Sequence, residues 1–222
     1  MNAVARKLVL KELYVHRWMM ATASAAVAGS ALLCAFGKAA FNVGALAWMT
    51  TLIACGVMLA IYGVMNERKE QSLLFVLSLP ISTSQYVLAK IIGLLLAYLV
   101  PWLAATAAAV ALVLLSPAIN DGLLPYVVTL CGFLLANFAV VLSGALLARS
   151  EGRVTALIIA TNMAVSLFLF IVGALPGIRD HIGGPAPVWN GTVLAIVLVE
   201  LAVFAFVLVL PLLTAARRRD FL

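Results

Sequence analysis

The residues of this sequence that could bind a ligand or carry out chemistry fall in two places. Glu200 is the only acid deep within a long apolar run, and a run of four charges, 67–70, opens a polar segment that extends to Lys90. On insertion scales, a charge at the centre of a membrane costs at least about 2.5–3.5 kcal/mol. We therefore expect Glu200 to be neutral, paired or facing a wet cavity. It either lines a substrate path or contacts a neighbouring helix; the alternatives are that it is protonated or that it lies closer to the membrane surface.

Other polar groups within the apolar runs are few. Asn137 and Asn162 are amides that could line a substrate path, although intramembrane amides more often bridge helices. The sequence has no G-x-x-x-x-G-K-[ST], H-E-x-x-H or G-x-S-x-G motif, and its cysteines form no C-x-x-C pair. An intramembrane enzyme would need a catalytic cluster, and candidates for one are nearly absent. We expect no cofactor and no metal site in this chain, so energy for uphill transport would come from another chain.

The composition indicates a membrane protein. Of the 222 residues, 66% are hydrophobic and only 10% are charged, whereas a soluble domain carries about 25% charged residues. The apolar residues also form long unbroken runs, which favours lipid as the solvent. The net charge of +6 comes from basic residues between these runs and at the two ends, a distribution that does not suggest a nucleic-acid site.

The lengths of the uncharged runs predict six transmembrane helices. A helix needs about 20 apolar residues to cross the hydrocarbon core, so each run is long enough for one crossing. Pro101 should kink the third crossing, and Ser116-Pro117 should end it. We expect a single transmembrane domain over residues 1–222, with spans at about 18–37, 43–65, 87–115, 123–148, 154–175 and 191–213.

The basic residues predict the orientation. Only Lys38 and Arg179 would lie on one side of the membrane. Because basic residues concentrate on the cytoplasmic side, both termini should be cytoplasmic, which requires an even number of spans. The other side would hold Arg6, Lys7, Lys11, Arg17, Arg68, Lys69, Lys90, Arg149, Arg153, Arg217, Arg218 and Arg219.

The N-terminal segment, residues 4–20, has the pattern of a basic amphipathic helix. One helical face carries Leu10, Leu13, Tyr14, Arg17 and Trp18. Such a helix lies in the membrane interface, with Trp18 at headgroup depth. The alternative is a simple cytoplasmic start to the first span.

The segment 66–90 contains a second element that does not span. A short apolar helix from Leu73 to Leu79 follows the charges and stops near Pro80, and Ser82, Thr83 or Ser84 can cap the next helix. The apolar stretch is far too short to cross a membrane. It must bury itself against its own bundle or against a partner protein.

This segment resembles the first cytoplasmic loop of the type-2 permeases of ATP-binding cassette (ABC) exporters. The family pattern is roughly E-R-x-x-G-T-L-E-x-L-L-x-x-P-[IV]-S, with a Lys a few positions on. The chain departs from it at Gln71, where Gly is usual, and at Leu74, where an acid is common. The matches are Glu67, Arg68, Ser72 (for Thr), Leu73, Leu77, Pro80, Ile81, Ser82 and Lys90.

The resemblance implies an all-α permease subunit of an exporter in a bacterial cytoplasmic membrane. Two such chains, identical or related, would form the pathway, and cytoplasmic ATPase subunits holding ATP and Mg²⁺ would drive it. The short loop helix would be a coupling helix that docks on the ATPase. The overwhelmingly apolar spans suggest an amphipathic or hydrophobic cargo: a peptide, a lipid or a drug-like molecule. The alternative is a secondary transporter or channel that uses Glu200 without an ATPase. The expected ATPase-binding residues are Glu67, Arg68, Glu70, Ser72, Leu73, Leu77 and Pro80.

Overall fold

The computed structural model describes residues 3–69, 82–117, 119–148 and 150–217, and almost all of the regular structure in these ranges is α-helix. A π turn, Ile61–Met65, joins the third helix to the fourth, and a 3-10 turn, Asp121–Leu123, precedes the sixth. In chain order the helices are α1 (Ala3–Val15), α2 (Arg17–Cys34), α3 (Lys38–Ala60), α4 (Asn66–Lys69), α5 (Thr83–Leu115), α6 (Leu124–Leu147), α7 (Glu151–Ala174), α8 (Pro176–Arg179) and α9 (Gly191–Arg217).

Several of these helices can span a membrane. The helix α2 has 18 residues and is not among the segments of the described chain that are long and apolar enough, so the sixth crossing stays a prediction. The all-helical class with several candidate spans is confirmed. The qualifying segments are Ala39–Met65, Thr83–Leu115, Asp121–Leu147, Glu151–Ala174 and Gly191–Ala215.

Local sequence signals account for both ends of α5. Ser82 accepts a hydrogen bond from the backbone N–H of Gln85 at 3.3 Å, and the Gln85 side chain accepts one from the Ser82 N–H at 3.4 Å. This capping box satisfies two backbone groups at the helix start, so the helix begins at Thr83, four residues before the predicted span. It ends at Leu115, where Ser116-Pro117 was predicted to end it.

The core lies where α3, α5 and α6 meet. Leu59, Leu94 and Leu142, one from each of these helices, are fully buried. The rings of Tyr98 and Phe138 stack between α5 and α6 with their centroids 4.0 Å apart. The helix α6 also packs against α7 and α9, and it belongs to the most buried of the candidate membrane spans in the described chain.

The outer faces of α7 and α9 remain apolar and uncovered. Phe170 and Leu167 on α7, and Leu198 and Phe206 on α9, are large apolar side chains exposed on the surface of the chain. Soluble monomers rarely expose contiguous apolar surface on this scale. These faces fit a lipid environment or a neighbouring chain.

The helices α2 and α3 approach each other closely at Gly44. A Cβ atom at Gly44 would lie 2.6 Å from the Ser30 carbonyl oxygen and 2.6 Å from Cys34 Sγ. One of these atoms belongs to the α2 backbone, which cannot move aside as a side chain could. The absence of a side chain at Gly44 therefore sets the spacing of the α2–α3 pair.

We expect Gly44→Ala to destabilise the protein by about 1–3 kcal/mol, the usual cost of overpacking. Thermal unfolding in detergent measures it. Gly29→Ala on α2 is the matched control because a Cβ atom there meets nothing within 4 Å. Both variants gain the same helix propensity, so equal unfolding midpoints would contradict the close approach.

Candidate functional site

Two lysines and two glutamates from three separate helices meet at one end of the bundle. Lys11 and Glu12 come from α1, Glu67 from α4 and Lys90 from α5. We call these four residues the basal charge cluster. Their formal charges cancel, which allows such a cluster to be buried.

Lys90 is the centre of this cluster and is only 3% exposed. Its Nζ lies 2.8 Å from Glu12 Oε1, 2.6 Å from Glu67 Oε2 and 2.7 Å from the Gly63 carbonyl oxygen. An ammonium group has three N–H donors, and each of them has an acceptor here. The buried charge is therefore fully satisfied within the chain.

The Gly63 carbonyl that accepts the hydrogen bond from Lys90 belongs to the π turn. Within that turn the Asn66 N–H donates to the Ile61 carbonyl, five residues back. Such turns are rare and are frequently found at functional sites. A Cβ atom at Gly63 would press on the Leu94 side chain, so the glycine lets α5 come close enough for Lys90 to reach the turn.

Glu67 and Lys11 complete the cluster on its outer side. Lys11 Nζ lies 2.5 Å from Glu67 Oε1 and 3.5 Å from Glu12 Oε1. The Tyr86 hydroxyl donates to Glu67 Oε2 at 3.1 Å. Glu67 thus links α4 to both α1 and α5.

The electrostatics of α1 follow from this arrangement. Burial alone would raise the pKa of Glu12, but His16, with Nε2 3.6 Å from Glu12 Oε2, and the charges of Lys90 and Lys11 outweigh burial. The pKa of Glu12 is lowered to about 2. Burial likewise acts to lower the pKa of Lys11, yet its contacts with Glu67 and Glu12 leave that pKa raised. Both groups are therefore charged at neutral pH.

The structure places only part of the predicted ATPase-binding set. Glu67 is engaged by residues of this chain, and Arg68 lies in α4 with its side chain outside the described part. The cluster nevertheless includes Glu67, a member of that set, and Lys90, which lies on α5 after the predicted coupling helix. The remaining members of that set lie outside the described residues: Glu70, Ser72, Leu73, Leu77 and Pro80.

Sequence reasoning missed Glu12, although a signal was present. Glu12 is the only acid before Glu67 in the sequence, and it sits among basic residues. It shares one face of α1 with Ala5 and Val9, and all three are buried, as is His16 just after the helix. A glutamate on a helix face of small apolar residues is a candidate for a buried ion pair, because buried glutamates are almost always paired.

The predicted N-terminal helix is divided. Residues 4–20 were expected to be one helix, but α1 ends at Val15 and His16 adopts a non-helical φ of −92° and ψ of 6° before α2 begins. The predicted face is largely the outward one, with Leu10, Tyr14 and Trp18 exposed. Burial of Glu12 and His16 against the bundle accounts for this orientation.

Glu200 lies on α9 and packs against α6. It is 8% exposed, and neither carboxyl oxygen has a hydrogen-bond partner in the described part of the chain. A Cβ atom at Gly132 would clash with Glu200 Oε2, so the glycine makes the room that the carboxyl group occupies. Glu200 lines a cavity of about 170 Å³ together with Trp102, Thr106, Val128, Cys131, Gly132, Leu135, Val197, Leu201 and Phe204.

The two predicted amides do not join Glu200. Asn137 is half-buried on α6, and Asn162 is exposed on the outer face of α7. Neither lines the cavity beside Glu200. Across the described ranges, no group of three or more His, Cys, Asp or Glu side chains could hold a metal ion.

A larger cavity of about 220 Å³ lies among α2, α3, α5, α6 and α7. Its aromatic lining residues include Phe41, Trp48 and Tyr126. Trp48 Nε1 donates to the Ala105 carbonyl at 3.2 Å, and the Tyr126 hydroxyl donates to the Leu169 carbonyl at 3.4 Å. Since these polar groups are already engaged, the cavity is suited to an apolar guest.

Comparison with known proteins gives one match. The model of a family described as ABC-2 family transporter protein matches residues 7–216. This range includes the basal charge cluster, the predicted coupling segment and Glu200. Neither the curated proteins nor the solved structures contain a match.

Replacing Lys90 should be far more damaging than replacing Lys11. Lys90→Met leaves buried Glu12 without its main partner, for which we expect a loss of about 3–5 kcal/mol. The Lys11 side chain is 44% exposed, so Lys11→Met should cost at most about 1 kcal/mol. Unfolding midpoints in detergent compare the two, and similar losses would contradict the central role of Lys90.

Glu12 should make stability dependent on pH under acidic conditions. Because its pKa falls from the ordinary 4.5 to about 2 in the folded chain, its contribution is present above about pH 4.5 and is lost as the pH falls towards about 2. We expect the unfolding midpoint to drop less steeply over that range in Glu12→Gln. Parallel pH curves for the two proteins would show that Glu12 does not stabilise the fold in this way.

Proposed function

Because this chain belongs to the ABC-2 family of transporter proteins, we propose that it is the permease subunit of an ATP-driven exporter in a bacterial cytoplasmic membrane. The family match over residues 7–216 carries the proposal. The helices capable of crossing a membrane support it. ATP and Mg²⁺ belong to a separate ATPase subunit in this proposal.

The sixth crossing in the proposed topology is made by α2. This helix packs along α3 and α5, which both contain candidate spans. Six crossings put both termini in the cytoplasm and leave only Lys38 and Arg179 among the basic residues on the far side. The charge asymmetry therefore supports the even count.

The N-terminal helix α1 lies at the cytoplasmic membrane interface in this proposal. Leu10, Tyr14 and Trp18 are exposed on its outer face. The Arg17 guanidinium lies 4.0 Å from the centroid of the Tyr14 ring. Aromatic side chains beside a basic residue suit the headgroup region, where rings are partly buried and charges stay hydrated.

The segment 66–81 is the proposed docking element for the ATPase. The basal charge cluster supports this role because it joins Glu67, near the start of that segment, to α1 and to Lys90 on α5, the helix that follows the segment. A displacement of the segment would pull on Glu67 and therefore on Lys90 at the start of α5. Buried, fully paired charges resist separation, so the cluster is suited to carrying motion from the loop into the bundle.

The translocation pathway is proposed to form between two permease chains. The uncovered apolar faces of α7 and α9 supply surface for a second chain. The cavities, with their largely apolar linings, favour an amphipathic or hydrophobic cargo.

A secondary transporter is the alternative, and one observation favours it. Glu200 is a buried carboxyl group without a hydrogen-bond partner among the described residues, beside a cavity. Such groups mark ion or proton pathways in transporters that work without an ATPase. Transport by the purified chain alone in vesicles would favour this alternative over the exporter.

The exporter proposal is tested on the ATPase that co-purifies with this chain. Leu77→Asp and Pro80→Asp each place a charge in the proposed docking element. We expect recovered ATPase activity to fall by about ten-fold or more, as for an interface hot spot. Val188→Asp, at an exposed position in the loop before α9, is the matched control and should retain the activity.

Cysteine labelling tests on which side of the membrane the segment 66–81 lies. Ser72→Cys should resist a membrane-impermeant thiol reagent in intact cells and react with it in inverted vesicles. Reaction in intact cells would place the segment on the outer face and overturn the proposal. So would an ATPase that stays bound and active in both Asp variants.

A further inference from the structure

The cavity beside Glu200 contains one hydrogen-bonding group that the described chain leaves unsatisfied. Trp102 Nε1 donates to the Cys131 carbonyl at 2.9 Å, and the Thr106 hydroxyl donates to the Trp102 carbonyl at 2.9 Å. The other lining side chains are apolar apart from the Cys131 thiol and the carboxyl group of Glu200. A ligand in this cavity would therefore contact a largely apolar lining in which, among the described residues, the Glu200 carboxyl group is the one free hydrogen-bond acceptor.

A buried carboxyl group without a donor is costly, so a ligand that brings a donor gains the whole of that interaction. A metal ion fits poorly. Magnesium and calcium take six or more oxygen ligands, and Glu200 is the only side-chain oxygen of the lining without an existing bond. An ammonium group attached to an apolar body fits better, because its N–H groups can donate to Glu200. The Trp102 ring lines the same cavity, and an aromatic ring is a second group that attracts a cation.

The cavity can be reached from the apolar surroundings of the bundle. Leu201 lines it and is 56% exposed on α9. A molecule dissolved in the bilayer could thus enter sideways without crossing the aqueous phase. The carboxyl group of Glu200, now packed against Gly132, can turn towards a ligand because the terminal torsion of a glutamate is broad and soft.

We propose that this cavity is a binding site for hydrophobic molecules that carry one ammonium group, with Glu200 as the residue that recognises the charge. The proposal rests on the permease function, since it names the class of cargo that the permease would select. Gly132 provides the space for the carboxyl group. Leu201 marks the entrance.

Binding of tritiated aminoadamantane, a compact hydrocarbon cage with one ammonium group, tests the proposal. The probe is measured by scintillation proximity on the purified full-length chain in lipid nanodiscs at neutral pH. Adamantanol, which has the same cage without the charge, serves as the competitor. We expect the ammonium compound to bind at least about ten-fold tighter than the alcohol, the ratio expected for one charge-assisted hydrogen bond.

Matched variants test which residues cause the preference for the ammonium compound over the alcohol. Glu200→Gln keeps the side-chain volume and should abolish the preference, and Gly132→Ala should abolish it by displacing the carboxyl group. Asp180→Asn, which removes an exposed acid, and Gly29→Ala should keep it. Size-exclusion profiles and melting curves establish that each variant is folded. Should Glu200→Gln fail to fold, Gly132→Ala supplies the same test.

Equal binding of the amine and the alcohol by the unmodified chain would overturn the proposal and would indicate that Glu200 holds its own proton. Absence of binding, or a preference retained in both site variants, would overturn it as well. The assay contains no ATP and no ATPase. A negative result therefore rejects this class of cargo and leaves the permease function untouched. The permease function is tested separately by the co-purification experiment.

Discussion

The satisfaction of one buried ammonium group constrains one whole end of the described helical bundle. Lys90 is surrounded by protein and has no room for a hydration shell, so each of its N–H groups needs an acceptor. Glu12, Glu67 and the Gly63 carbonyl supply three acceptors from three separate parts of the chain. The position of α1 against α5, the π turn and the start of α4 all follow from this requirement. Removing any of them would leave a buried charge or a buried carbonyl without a partner.

In the proposed exporter, the same requirement gives the short connection between α4 and α5 a way to transmit force. The helices α4 and α5 each contribute a member of the basal charge cluster, and the cluster reaches α1 as well. In the proposed exporter, ATP is hydrolysed on a separate subunit outside the membrane, so a rigid part of the permease is needed to connect that subunit to the bundle. Paired charges in a low-dielectric setting are directional and costly to separate. Apolar contacts alone would slide more easily.

Glu200 represents the opposite electrostatic situation in the same chain. Glu12 is buried with its charge matched, whereas Glu200 is buried beside a cavity with no donor among the described residues. The first arrangement stabilises a structure, and the second leaves an interaction open to a visiting group. The difference lies in the neighbouring helix: α5 presents Lys90 to Glu12, while α6 places Gly132 against Glu200.

The sequence by itself determined the helical class, the approximate bounds of the long helices, a cap of α5 among Ser82, Thr83 and Ser84, and the end of α5 before Ser116-Pro117. These features depend on apolar run length and on chemistry between residues a few positions apart. It also carried the motif that led to the family. Tertiary structure alone decided the pairing of Glu12 with Lys90, 78 residues apart, the outward turn of Leu10, Tyr14 and Trp18, and the fit of Glu200 against Gly132. Each of these three features depends on which faces of distant helices pack together. The lengths of apolar runs and the number of charges do not specify how those faces pair.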